Sequence, residues 1–212
     1  VRLQLCAATL MLALVGCGPK SPDYGSIWTT TATTTTTTSE EPVPLAQYLD
    51  TIGVIKEQVA PDKLPDLTVS MPIPPGWERY TSPTIPPTTE VITKGGPYPN
   101  AMLMVFKLTG DFDSREVAKH GNADVVTSAN FKQLDASDAD FHGFPSSMVQ
   151  GTFDLEGKRL HTFNRVVIAT GSPPARQPYL VEFSVTSLAD QAVPESRDIE
   201  SLIKGFTVAA KK

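Results

Sequence analysis

The sequence predicts a single α+β domain, an antiparallel sheet flanked by helices, and three stretches carry that expectation. Val149, Gly151, Phe153 and Leu155 alternate along one strand, Glu156-Gly157 supplies a tight turn, and Arg159 to Ala169 returns with His161, Phe163, Arg165 and Val167 on one side. Tyr179, Val181, Phe183 and Val185 point inward from a further strand, with Glu182 and Ser184 outward. Ser196 to Lys204 then brings Ile199, Leu202 and Ile203 onto one helical face, with Gly205 expected at its C-cap.

The remaining elements follow in chain order. Pro44 opens a short helix whose face holds Leu45, Leu49 and Ile52, and Gly53 closes it. Pro61 and Pro65 bracket a loop before a strand from Leu67 to Met71. Pro72, Pro74, Pro75 and Gly76 lead the chain into Trp77-Glu78-Arg79-Tyr80, and Glu90 to Lys94 forms the next strand. Ala101 to Leu108 is apolar on both faces until Lys107, which places it at the sheet centre or beneath a helix layer on one side and long loops on the other. Asp113 and Glu116 match a capping box and predict one helix to about Ser128, whose apolar stripe is thin. Phe206 to Val208 adds an edge strand.

Upstream of this domain the 212-residue chain has a different character. Leu3 to Val15 is a short apolar run behind Arg2, too short to span a bilayer and suited to a signal segment covering residues 1–16. Leu14-Val15-Gly16-Cys17 ends it with a small residue before a thiol, the pattern that presents Cys17 for diacylglycerol linkage and cleavage. Thr29 to Thr38, interrupted only by Ala32, is β-branched and polar without apolar partners, so packing repays none of its ordering entropy. Residues 17–42 are therefore expected to be a lipidated, Thr-rich tether, and residues 43–212 the globular domain. Cys6 falls in the signal segment, which leaves the domain without a disulfide or a thiolate metal site. A net charge of −5 at pH 7 disfavours nucleic acid and gives no electrostatic pull toward anionic lipid, so membrane attachment rests on acyl chains.

Catalytic patterns are weak. A calcium loop starting at Asp138 places Asp140 third and Gly143 sixth, but its twelfth position is Val149 where a bidentate Glu is required. His120, His142 and His161 have no metal-ligand spacing, and no cofactor is implied. Ser201-Leu202-Ile203-Lys204 matches Ser-x-x-Lys by letter only, because its central residues are needed in the core. For ligand binding, Trp77, Tyr80, Tyr98, Met102, Met104, Phe141 and Phe144 suit an apolar groove, methionine adapting its shape to acyl chains. His161 and Arg165, sharing a strand face with Asn164 opposite, suit a small polar patch. Trp77, Tyr80, His161 and Arg165 are the candidate ligand-binding residues and Cys17 the lipidation site.

These residues also carry a resemblance. The lipobox, Cys17-Gly18-Pro19-Lys20-Ser21-Pro22-Asp23, Pro75-Gly76-Trp77, Ala101 to Leu108, Phe141 to Met148 and Leu160-His161-Thr162 together resemble the LpqN/LpqT family of mycobacterial lipoproteins across nearly the whole chain. The resemblance implies a Mog1/PsbP-like fold and an outward-facing protein anchored in the cell membrane. It also implies a possible tie to glycolipid transport, since a relative is associated with trehalose mycolate export. No catalytic residues come with the family, and only Cys17 is carried over. The expectation is a non-catalytic envelope lipoprotein binding an envelope protein or a lipid. Its rivals are a small-solute receptor, which needs a closed polar pocket, and a cell-wall hydrolase, which needs a nucleophile or a carboxylate pair.

Overall fold

The computed structural model describes residues 42–212. The signal segment, Cys17 and all but the last residue of the expected tether lie outside the described residues.

Helix α1 (Leu45–Thr51) starts after Pro44, whose missing N–H costs nothing there, and buries Leu45 and Leu49. Gly53 adopts φ +70°, which lets the Val54 N–H reach back to the Leu49 carbonyl at 2.9 Å. Strand β1 (Ile55–Val59) follows unannounced by the sequence. Its residues do not alternate, and Ile55 is 69% exposed. Backbone pairing creates it, with Ile55 to Val59 antiparallel to Thr109 to Val105. Strand β2 (Leu67–Ser70) comes next, after a single 3-10 turn at Pro61–Lys63.

Strands β3 (Glu78–Arg79), β4 (Glu90–Thr93) and β5 (Asn100–Thr109) form a meander. The single helix expected from Asp113 is instead two, α2 (Ser114–Lys119) and α3 (Ala123–Val126). Asp113 caps the first as expected, its Oδ1 accepting from the Arg115 and Glu116 N–H groups at 2.8 and 3.2 Å. The break falls at Gly121, where a Cβ would lie 2.6 Å from Val166 Cβ. Glycine thus brings the backbone down onto the sheet, and Asn122 Nδ2 donates to Ser147 Oγ at 3.0 Å beside it.

Strand β6 (Lys132–Ser137) was also not expected, since Asp135 read as part of an acidic loop. It pairs with β7 (Ser146–Leu155), with a register shift between Gln133 and Asp135. β7 and β8 (Lys158–Thr170) form the expected hairpin, Glu156 and Gly157 both taking positive φ as a two-residue turn of this hand requires. β9 (Pro178–Leu188) is followed by α4 (Ser196–Gly205) and β10 (Thr207–Ala210). Gly205 is the last helical residue rather than the cap; extended Phe206 caps the helix. Glycine is needed there because a Cβ would stand 2.6 Å from Pro72 Cγ.

The main sheet runs β3-β4-β5-β9-β8-β7-β6, with β1 sharing β5's outer edge beyond β4, and all its pairings are antiparallel. β10 and β2 make a separate two-stranded sheet, which places the expected edge strand against Leu67–Ser70. Two apolar layers result. On one face Leu103, Val105, Phe163, Val181 and Phe183 pack against Leu67, Val69, Ile199, Leu202 and Phe206 from β2, α4 and its following residue. On the other, Leu108, Val166, Ile168 and Leu180 pack against Leu45, Leu49, Val117 and Ala118 from α1 and α2.

Candidate functional site

Helices α1 and α2 cover only part of their sheet face. Register places Met104, Glu182 and Val166 in one row across β5, β9 and β8, then Met102, Ser184 and Asn164, then Asn100, Thr186 and Thr162. Beyond the first of these rows the face is only partly covered: Asn100, Met102, Met104, Glu182, Ser184 and Asn164 are all half-buried, while Thr162 is buried. Such a face explains why β5 is apolar on both sides: Ala101, Leu103 and Val105 serve the core, while Met102 and Met104 floor an open surface.

Two hollows occupy this face. The larger, about 490 Å³, is lined by Glu78, Tyr80, Ile85, Val91, Thr93, Gly96, Pro97, Asn100 and Met102. Its apolar floor is Val91 and Met102, directly paired across β4 and β5. Its walls are loops held by specific bonds. Gln58 Nε2 donates to Thr89 Oγ1 at 2.7 Å, tying the 80–89 loop to β1, and Asn100 Nδ2 donates to the Pro97 carbonyl at 2.8 Å. The smaller hollow, about 140 Å³, lies where α1 and α3 meet the sheet and includes Leu45, Met104, Asp124, Val125, Asn164, Glu182 and Ser184. Met102 and Met104, one in each hollow, are two residues apart on the same side of β5.

The residues singled out in the sequence do not converge. Tyr80, 48% exposed, lines the larger hollow. Trp77 is buried in the core of the opposite face, where its Nε1–H donates to Asp198 Oδ2 at 3.1 Å. Lys94 Nζ reaches the same oxygen at 2.6 Å, and these bonds, the lysine's foremost, hold the Asp198 carboxyl below its ordinary range. Trp77 thereby fastens α4 to the start of β3. His161 and Arg165 share a strand side as expected, but it is the Phe163 side of β8; His161 lines neither hollow, and Arg165 borders the smaller one with its guanidinium turned to the opposite face.

His161 is 5% exposed and accepts from Gln150 Nε2 at 2.9 Å; burial pushes it down to about 4, so the ring is neutral. The Arg165 guanidinium lies over the Phe141 and Phe163 rings, 4.6 and 5.8 Å from their centroids, and donates to Ser146 Oγ at 3.1 Å. Phe141 in turn stacks on Phe206, which makes it a packing residue. Sequence reasoning missed Asn100, Asn164, Glu182 and Ser184. Asn164 on β8 and Glu182 and Ser184 on β9 alternate as ordinary outward positions, Asn100 opens β5, and only register with Met102 and Met104 reveals a shared surface. Among the described residues, no group of three or more His, Cys, Asp or Glu is arranged to hold a metal ion, and no helix is long and apolar enough to cross a membrane.

An antiparallel sheet, covered on one face by a helix and a small second sheet and in part on the other by short helices, defines an α+β domain with one partly open face. The chain belongs to the LpqN lipoprotein family: residues 41–209 match the family described as "Probable lipoprotein LpqN". It is 58% identical over 211 residues to "Putative lipoprotein LpqT" of Mycobacterium tuberculosis, covering 99% of this chain and 93% of that one. Among solved structures it is similar to LpqN of M. tuberculosis, described as involved in cell envelope biogenesis, with a TM-score of 0.66, 18% identity, and coverage of 80% of this chain and 99% of that chain. The cyanobacterial PsbP of Synechocystis is more distant, at a TM-score of 0.44 and 13% identity, covering 69% of this chain and 94% of that one.

Proposed function

We propose that this protein is a non-catalytic, outward-facing cell-envelope lipoprotein, held at the membrane through Cys17, whose domain binds an envelope lipid on the open face of its sheet. The observation that carries this reading is the pairing of an apolar floor, Val91 and Met102, with Tyr80 and Ile85 above it, beside a row of hydrogen-bonding side chains. An amphiphile has that same division. Each methylene buried on the floor contributes about 0.8 kcal/mol, so a chain of several carbons outweighs the ordering of a few side chains. Lipoprotein family membership and the lipobox before Cys17 support the anchor. The envelope role named for the LpqN structure supports the setting, and assistance to glycolipid transport is the task proposed for this face. Two acyl chains at Cys17 would give stable anchoring, because one chain alone binds marginally.

The test is calorimetric titration with a neutral single-chain amphiphile below its micelle concentration. Wild-type protein binds it, Met102→Glu weakens binding by about tenfold or more, and Tyr80→Ala by less. Equal affinity for wild type and Met102→Glu, with the variant folded, contradicts the reading.

A further inference from the structure

We propose that the smaller hollow receives the protonated amine of that ligand, which makes the preferred lipid one with a cationic group at its polar end. This rests on the lipid-binding reading and names the ligand class that the face selects.

Glu182 carries the argument. It sits mid-strand on β9 in the row with Met104 and Val166, and its carboxyl points into the hollow. Among the described residues it has no hydrogen bond or ion pair, although the neighbouring side chains leave it deep enough for burial to push its protonation upward. The charged groups acting on it are Lys56 and Asp124. Lys56 lies over the Phe106 ring at 5.2 Å and makes no ion pair with Glu182, while Asp124 adds a second negative charge at the wall of the same hollow. Asn164 and Ser184 supply further acceptor oxygens. Arg165 also borders the hollow, but its guanidinium is turned to the opposite face over Phe141.

The hollow is therefore lined by acceptors and by two carboxylates, neither of them ion-paired there, with Lys56 acting on Glu182 only through its charge. An ammonium satisfies both requirements, charge and donors, in one group. A neutral hydroxyl satisfies only the second, and an anionic headgroup meets two carboxylates. Because Met104 borders this hollow and Met102 the larger one, a single chain running along β5 places its apolar part on Val91 and Met102 and its amine at Glu182.

Three twelve-carbon probes separate the possibilities: dodecylammonium, a neutral dodecyl polyether and dodecyl sulfate, each titrated below its micelle concentration at low salt. Wild type binds dodecylammonium about tenfold more tightly than the ether, and the sulfate most weakly. Glu182→Gln lowers affinity for dodecylammonium about tenfold and so removes the preference over the ether, and Asp124→Asn reduces it in part. Equal binding of the amine and the ether by wild type, or a preference that survives Glu182→Gln, overturns this inference and leaves lipid binding standing. Failure of all three probes to bind overturns both.

Discussion

Two titratable groups, buried His161 and half-buried Glu182, set opposite pH dependences. His161 falls from an ordinary 6.5 to about 4 because burial disfavours its charged ring. Its contribution to stability is complete above pH 6.5 and is lost as pH falls toward 4, a swing on the order of 3 kcal/mol. We predict that His161→Gln flattens the stability curve between those values relative to wild type, and that an NMR titration of the ring finds no protonation near pH 6.5. Glu182 behaves inversely. Burial raises its folded-state pKa above the ordinary carboxylate value, so stability present in acid is lost as the group ionises with rising pH. Glu182→Gln should therefore raise the thermal midpoint at pH 7 and leave it nearly unchanged at pH 4. A midpoint lowered at pH 7 would show that the carboxylate is paired.

At the scale of elements, close approach decides more than propensity. Gly121 divides α2 from α3 because the backbone there rests on Val166 and Ser147. Gly121→Ala would favour a continuous helix in isolation, yet in the fold it should destabilise by roughly 1–3 kcal/mol, measured by denaturant unfolding. Stabilisation would mean that the break has another origin. The same principle separates what the sequence shows from what it hides. The β7–β8 hairpin, β9 and the face of α4 were legible because their apolar alternation and their burial coincide. β1 and β6 were not, because backbone pairing at a strand edge leaves no pattern in side chains such as Ile55, Lys56 and Glu57. Of the candidate site, Tyr80 and the two methionines were legible as apolar groups out of place on a surface. Glu182 and Asn164 were not, since outward polar residues look alike until register shows what they face.

At the scale of the whole molecule, the proposed function needs both an anchor at Cys17 and a binding face on the sheet. Cys17→Ala should move the protein from the membrane fraction to the aqueous phase on detergent partitioning, with the thermal midpoint of the domain unchanged. Partitioning identical to wild type would remove the anchor from the account. The open face does not depend on it, since Val91, Met102 and Tyr80 stand on strands and loops fixed by the main sheet. The most direct measurement is native mass spectrometry of the protein extracted from envelope membranes, comparing wild type with Met102→Glu. Wild type is predicted to carry one non-covalent lipid per domain, and the variant, folded and anchored alike, to carry none. A lipid-free wild type, or the same lipid retained by the variant, would contradict the central claim.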